Sequence, residues 1–188
     1  LKALGVKINL NYEVTSIEKV DGKFIINGRE KFDKVVIASG GISYKLTGST
    51  GDGYKFAKDF GHKVIDQVPG LIGINLKNNF SLAGLTLKNV ELKILKDKKI
   101  LSREFGEMLF THRGISGPIV LTTSSKINRL KDFEMYLDLK PALDLEKLDA
   151  RILRDFHENQ NKNLENVMKS LFPKDLILYV LETAGISG

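Results

Sequence analysis

Apolar and polar positions alternate with a period of two at Val6–Leu10, which is typical of a β-strand. Runs of β-prone residues follow, interrupted by short turn dipeptides. They predict further strands at Val14–Val20, Lys23–Ile26 and Lys31–Ser39. Asp21-Gly22 and Asn27-Gly28 separate the last three strands, and the first of these dipeptides best fits a type I′ hairpin turn. The sequence therefore predicts a three-stranded meander.

The last of these strands contains a continuous apolar run, Val35–Ala38, which is typical of a strand buried on both faces of a largely parallel sheet. It leads into Ser39-Gly40-Gly41, and glycine recurs at positions 48, 51 and 53. A short helix, Asp52–Phe60, is predicted next, with Gly61 in the left-handed position after its end. Strand, glycine-rich loop and helix thus follow in that order.

From residue 71 to residue 139 the pattern is again mainly of period two, with a hairpin turn at Asp97-Lys98. The predicted strands are Leu71–Leu76, Leu87–Leu95, Lys99–Arg103, Glu107–Thr111 and Phe133–Leu139. One helix interrupts them, with Ser116 as N-cap and Pro118 in the first turn. The residues predicted to face inward from it are Ile119, Val120, Thr123 and Ile127.

After Pro141 the apolar positions recur at helical spacing and predict three amphipathic helices, the last two separated by Pro173. Their predicted apolar faces are Leu145, Leu148, Ile152, Leu153 and Phe156; Leu164, Val167, Met168 and Leu171; and Leu176, Ile177, Val180, Leu181 and Ala184. The fold class is α/β plus α+β. We predict a partial Rossmann-type domain with the β-meander at residues 1–70, a β-rich insertion at 71–140 and a helical insertion segment at 141–188.

Composition places the chain among globular proteins. Of its 188 residues, 42% are hydrophobic and 28% are charged, which excludes a disordered or fibrous chain. The absence of cysteine excludes disulfides and thiolate chemistry, and it fits a reducing cytoplasm. The three histidines lie 45 to 50 positions apart, so we predict no metal site.

The net charge of +6 is compatible with a solvated, lysine-rich surface and with an anionic ligand or nucleic acid.

No apolar run approaches the ~20 residues that a membrane span needs, so no membrane partner is expected. The start also lacks the basic and apolar regions of a secretion signal. The chain begins with Leu1 and not with methionine. We therefore expect it to be part of a longer protein.

The glycine-rich segment from residue 39 to residue 53 is the most informative stretch. Glycine lets a flat ligand or a phosphate approach main-chain N–H groups closely, and the helix that follows adds unpaired N–H donors and a partial positive charge. Thr50 and Asp52 are natural N-cap residues for that helix. Composition leaves open the alternative of a loop that only turns the chain.

Two strings make the pattern specific. They are Ala38-Ser39-Gly40-Gly41 followed by Thr47-Gly48-Ser49-Thr50-Gly51-Asp52-Gly53-Tyr54, and, about 60 residues later, Phe110-Thr111-His112-Arg113-Gly114-Ile115-Ser116-Gly117-Pro118. In this order they resemble the bacterial NAD(P)/FAD-dependent oxidoreductases of the BaiN or aminoacetone oxidase type. The resemblance covers nearly the whole chain. It implies a Rossmann-type FAD domain interrupted by an insertion with a β-rich part and a helical part.

The resemblance also implies contacts to FAD. Val14 would lie beside the adenine through its backbone. The other residues implied at the cofactor are Ala38, Ser39, Gly40 and Gly41, on the adenosine or pyrophosphate side, and Thr50, Gly51 and Asp52. Ser39 stands where many members of the family have threonine, and the serine retains the hydroxyl group. The family's Gly-x-Gly-x-x-Gly turn does not occur in this chain, so the remainder of the FAD domain would lie outside it.

His112 is the single candidate for a catalytic residue. If Thr111 and His112 end a strand and Gly114–Pro118 begin a helix, the imidazole would stand beside a helix N-terminus and face the flavin edge. There it would donate a hydrogen bond or move a proton. We prefer the alternative, in which these residues form a structural strand-to-helix turn. His62 and His157 are interpreted as surface residues.

The sequence thus favours the central part of an FAD-dependent oxidoreductase that oxidises or reduces a small organic molecule beneath an inserted cap, with NAD(P)H as candidate reductant. One alternative is an FAD-containing protein that modifies nucleic acid. The basic balance permits it, but the lack of clustered arginine and of interleaved aromatic residues disfavours a nucleic-acid partner. The other alternative is a binding module without catalysis.

Overall fold

The computed structural model describes residues 2–77 and 81–186. The chain divides after Asp66 into two compact units, Leu1–Asp66 and Gln67–Gly188, here called unit 1 and unit 2. Both units combine helices with antiparallel sheet, as the predicted fold class requires. The predicted boundaries after residues 70 and 140 stay predictions.

Unit 1 contains a three-stranded antiparallel sheet and one α-helix. The strands are β1 (Ile17–Val20), β2 (Lys23–Ile26) and β3 (Glu30–Phe32), paired in chain order, and the helix is α1 (Asp52–Asp59). Both turn dipeptides have the left-handed backbone of a type I′ turn, with φ of 49° and 76° at Asp21-Gly22 and 52° and 68° at Asn27-Gly28. The meander is therefore confirmed.

The predicted strand at Val35–Ala38 is wrong. These residues have no strand pairing, and the Val36 side chain is 88% exposed. A strand needs at least one neighbouring strand to pair with, and the described part of unit 1 pairs only its three antiparallel strands with one another. Val6–Leu10 likewise forms no strand.

Unit 1 has a thin core. Among residues 3–66 only Phe56, on α1, is buried. Phe60 contacts the Phe24 ring edge-on, with 5.8 Å between ring centroids, and this contact joins the end of α1 to β2. Gly61 has φ of 79° and donates to the carbonyl of Lys58, which confirms its predicted place after the helix.

Unit 2 is built on a five-stranded antiparallel sheet that curls into a half-barrel. Its strands are β4 (Ile74–Asn75), β5 (Thr86–Lys96), β6 (Lys99–Thr111), β7 (Gly114–Ser116) and β8 (Glu134–Asp138). Their order across the sheet is β4-β7-β6-β5-β8. The two strands predicted between residues 99 and 111 are one strand, because residues 104–106 also pair with β5.

Helix α2 (Pro118–Ile127) packs on β6. Gly117, not Ser116, occupies the N-cap position, because Ser116 belongs to β7. The four residues predicted to face inward are all buried: Ile119, Val120, Thr123 and Ile127.

Three further helices follow as predicted: α3 (Leu145–Glu158), α4 (Leu164–Met168) and α5 (Lys174–Thr183). Helices α4 and α5 bury their apolar side chains together, around Met168, Leu171, Ile177 and Leu181. The predicted face of α3 is only partly covered, since Leu145 is 85% and Leu153 61% exposed. No helix in the described ranges is long and apolar enough to cross a membrane.

Candidate functional site

Asn27 fixes the segment that precedes β1. Its side-chain Oδ1 accepts hydrogen bonds from the Thr15 N–H at 2.8 Å, the Thr15 hydroxyl at 3.1 Å and the Ser16 N–H at 3.2 Å. Its Nδ2 donates to the Glu13 carbonyl at 2.8 Å. One amide therefore holds the peptide groups on both sides of Val14.

This arrangement leaves the N–H and the carbonyl oxygen of Val14 itself available. Among the described residues, neither its N–H nor its carbonyl has a hydrogen-bond partner. The sequence pattern predicts only a turn at Asn27-Gly28. The contact to residues 13–16 was missed because it joins positions 11 to 14 apart, and no local pattern reports it.

The glycine-rich segment lies against the first turn of α1. A Cβ on Gly53 would come within 2.8 Å of the Ser39 hydroxyl and 3.0 Å of the Ile37 side chain. A Cβ on Gly51 would come within 2.7 Å of the Ile42 side chain. The structure thus brings together two groups of predicted cofactor residues, those around Ser39 and those around Gly51.

The start of α1 carries unpaired donors. Gly51 is the N-cap, with φ of 91°, and no side chain caps the helix. The N–H groups of Gly51, Asp52 and Gly53 have no hydrogen-bond partner among the described residues. Neither Thr50 nor Asp52 is the N-cap, because the Thr50 hydroxyl bonds the Asp52 carboxylate instead of the helix backbone. The helix end therefore offers N–H donors beside one carboxylate.

Gly40 and Gly41 differ in what they require. Gly40 has φ of 76°, a left-handed backbone that favours glycine. Gly41 has no such φ, and a Cβ there would meet only the Tyr54 hydroxyl, at an ordinary 3.4 Å. Of these two positions, only residue 40 has a backbone conformation that favours glycine.

His112 lies at an exposed turn. With Arg113 it joins β6 to β7, and Thr111 pairs with Gly114 across the turn. The predicted strand-to-helix turn at this point is wrong, because strand β7 lies between His112 and α2 in the chain. Its catalytic role stays a prediction without the helix N-terminus that motivated it.

The glycines of the second motif have a packing explanation. A Cβ on Gly114 would lie 2.1 Å from the Ile74 carbonyl oxygen. Gly117 has φ of 97°, and a Cβ there would lie 3.0 to 3.2 Å from the backbone of residues 107–109. These positions let β4 and the start of α2 approach their neighbours closely.

Residues 68–188 match the family model described as the HI0933-like protein barrel and H2TH domain. The chain belongs to the HI0933-like family. The matched range contains the half-barrel sheet and helices α2–α5.

Three curated relatives of this HI0933-like chain are enzymes. It is 34% identical to the ribosomal RNA dihydrouridine synthase of Escherichia coli and 29% identical to that of Haemophilus influenzae, over 92% of the chain in each case and 42% and 43% of those proteins. It is 27% identical to the 3-dehydro-bile acid delta(4,6)-reductase of Clostridium scindens, over 99% of the chain and 47% of that protein. The chain thus spans less than half the length of these relatives.

Unit 2 of this HI0933-like chain contains an apolar pocket of about 520 Å³ that is open on one side. The half-barrel forms one wall, with side chains such as Leu92 and Met108, and α5 forms another, with Leu176 and Val180. The volume is typical of a small-molecule pocket, but the described lining contributes few polar groups.

An ion pair connects the neighbouring strands β5 and β8 of unit 2. Lys93 bridges Glu91 and Asp138, both at 2.9 Å, and hydrogen bonds to these two carboxylates raise the pKa of Lys93. Burial acts to raise the pKa of Asp138, but hydrogen bonds from Lys93 and from the Lys140 backbone outweigh it, and the pKa is lowered. Burial, followed by repulsion from Arg151, lowers the pKa of Lys140. These shifts belong to structural pairs and identify no proton donor.

Proposed function

We propose that this chain is the central part of a flavin-dependent reductase that adds hydrogen across a carbon–carbon double bond conjugated to a carbonyl group. The observation that carries the proposal is that the reactions named for the relatives share one chemical change. A delta(4,6)-reductase acting on a 3-dehydro bile acid and a dihydrouridine synthase both saturate such a bond. Both changes need a hydride donor, which amino-acid side chains do not supply.

The residues of unit 1 fit part of FAD. The backbone of Val14 offers one donor and one acceptor, which suits a nucleobase edge. The N–H groups at the start of α1 suit oxygen atoms. The Asp52 carboxylate would repel a phosphate at close range, and it suits a sugar or ribityl hydroxyl better. The residues that would hold the cofactor are therefore Val14, Ala38, Ser39, Gly40, Gly41, Thr50, Gly51 and Asp52.

The bound flavin would supply the hydride, with NAD(P)H as its candidate reductant. In this proposal the protein binds and orients the flavin and the substrate, and it excludes water from them. Gly40 and Gly51 let the loop backbone approach the ligand, and the Asp52 carboxylate accepts hydrogen bonds from its hydroxyl groups. The insertion predicted from the sequence is the candidate for shaping the substrate pocket, and His112 stays the candidate proton donor.

Two substrate classes follow from this chemistry. A small cyclic enone is the first, and it belongs to the broader class of small organic molecules that the sequence predicts as substrates. Uridine in ribosomal RNA is the second, and a specific observation favours it: the relative named for it in Escherichia coli is 34% identical, against 27% for the bile acid reductase. The net charge of +6 is compatible with RNA.

The test is anaerobic turnover by the full-length protein that contains this chain. NADH and NADPH are each offered with a steroid 4-en-3-one and with ribosomal RNA that lacks dihydrouridine. Saturation of either substrate supports the proposal and identifies the class. A protein that holds flavin but reduces neither substrate would contradict the proposed saturation of a conjugated carbon–carbon double bond. A protein without flavin would favour a non-catalytic binding module.

A further inference from the structure

The two turns of the unit 1 meander have the same backbone but differ in what their first residue does. Asp21 and Asn27 have φ of 49° and 52°, and each precedes a glycine. Among the described residues the Asp21 side chain makes no hydrogen bond, so the turn needs none. Asn27 makes four with its side chain, all to residues 13–16. Its amide therefore serves the segment around Val14 and not the turn.

The geometry of this contact determines which edge of the segment is free. The two polar atoms of one planar amide contact the Glu13 carbonyl and the Thr15 N–H, so both groups point toward Asn27. In an extended segment the N–H and carbonyl of the residue between them point to the opposite edge. Val14 thus presents a donor and an acceptor side by side, away from Asn27.

We propose that Asn27 is a positioning residue that presents the peptide edge of Val14 to the adenine ring of FAD, an inference that rests on the proposed function. Adenine carries a ring-nitrogen acceptor next to the exocyclic amino donor. The N–H of Val14 donates to the first, and its carbonyl accepts from the second. An edge of this kind discriminates against a base with a carbonyl in place of the amino group, because two acceptors would then face each other.

The first experiment compares Asn27→Gly with Asp21→Gly in the full-length protein. Glycine keeps the left-handed backbone of both turns, so only the first change removes a contact. Each variant is titrated with FAD and with its deaminated analogue, flavin hypoxanthine dinucleotide. Wild type and Asp21→Gly should prefer FAD by about 10-fold or more, as expected for a lost hydrogen bond with an unsatisfied partner. Asn27→Gly should lose most of this preference.

A second measurement does not depend on the cofactor. Amide hydrogen exchange at Thr15 and Ser16 in the apoprotein should accelerate in Asn27→Gly and stay unchanged in Asp21→Gly. Asn27→Asp keeps an acceptor for Thr15 but loses the donor to Glu13, so its preference for FAD should be intermediate.

Equal preference for FAD in wild type and Asn27→Gly would overturn the proposal, as would unchanged exchange at Thr15. Tight binding of both dinucleotides by wild type would leave the flavin function standing and refute the role of Val14. Failure of wild type to bind any flavin would instead refute the proposed function, and this inference with it.

Discussion

Replacing Gly114 by alanine would place a methyl group inside the backbone of β4. The ideal Cβ lies 2.1 Å from the Ile74 carbonyl oxygen and 2.8 Å from both the Asn75 Cα and the Leu76 nitrogen. Ordinary contacts begin at 3.4 Å, so β4 must move away by the difference, about 1.3 Å. All three of these nearest atoms belong to the backbone, so no rotamer change relieves the clash.

The cost follows from what holds β4 in place. The Leu76 N–H donates to the Arg113 carbonyl at 3.0 Å, and Ile74 pairs with Ile115 in the core. Overpacking costs ~1–3 kcal/mol, and each lost backbone hydrogen bond costs ~1 kcal/mol. We therefore expect Gly114→Ala to lower the free energy of unfolding of unit 2 by about 3 kcal/mol.

Urea denaturation followed by circular dichroism measures this change. Gly70→Ala is the matched control in the same unit, because its Cβ would meet nothing closer than 3.9 Å and its φ is not positive. The control should stay within ~0.5 kcal/mol of wild type. Equal stability of Gly114→Ala and Gly70→Ala, with unchanged dependence on urea, would refute the packing explanation of this motif.

Three further predictions concern unit 2. The Thr123 hydroxyl is fully buried and has no hydrogen-bond partner in the described part of the chain, so Thr123→Val should raise the free energy of unfolding by ~1 kcal/mol, whereas exposed Thr122→Val should not; an unchanged urea midpoint for Thr123→Val would contradict this. The hydrogen bond from Lys126 lowers the pKa of Glu104 below its ordinary 4.5. This stabilisation is present above pH 4.5 and is lost as pH falls through the lowered pKa, so Lys126→Met should lose less stability than wild type between pH 7 and pH 3. The Ser170 hydroxyl, 2.9 Å from Asp155, is the main cause of the lowered pKa of that carboxyl, and Ser170→Ala should raise it in an NMR titration; an unmoved pKa would exclude this hydrogen bond as the cause.

Local chemistry explains what the sequence predicted well. The dipeptides Asp21-Gly22 and Asp97-Lys98 form turns with positive φ at both residues, because a two-residue hairpin loop of type I′ requires a left-handed backbone at both positions. Helix α2 buries the side chains predicted from its 3.6-residue period. In both cases the determining interactions lie within a few positions along the chain.

Long-range contacts explain the rest. The run at Val35–Ala38 has the composition of a buried strand, but composition does not supply neighbouring strands. Strand β7 has only three residues, two of them small, and β4 and β6 define it by pairing on either side. The Asn27 contact was missed for the same reason. In the candidate site, the sequence predicted the glycine-rich loop at α1, but not which donors it leaves unpaired.

The visible absorption spectrum of the purified full-length protein that contains this chain tests the flavin assignment most directly. The proposed function predicts the bands of oxidised flavin at close to one flavin per protein, and their bleaching when NADH or NADPH is added without oxygen. Gly40→Val should reduce this occupancy, because a β-branched residue does not adopt the left-handed backbone that Gly40 has. A correctly folded protein that shows no flavin bands and takes up no added FAD would contradict the proposed function.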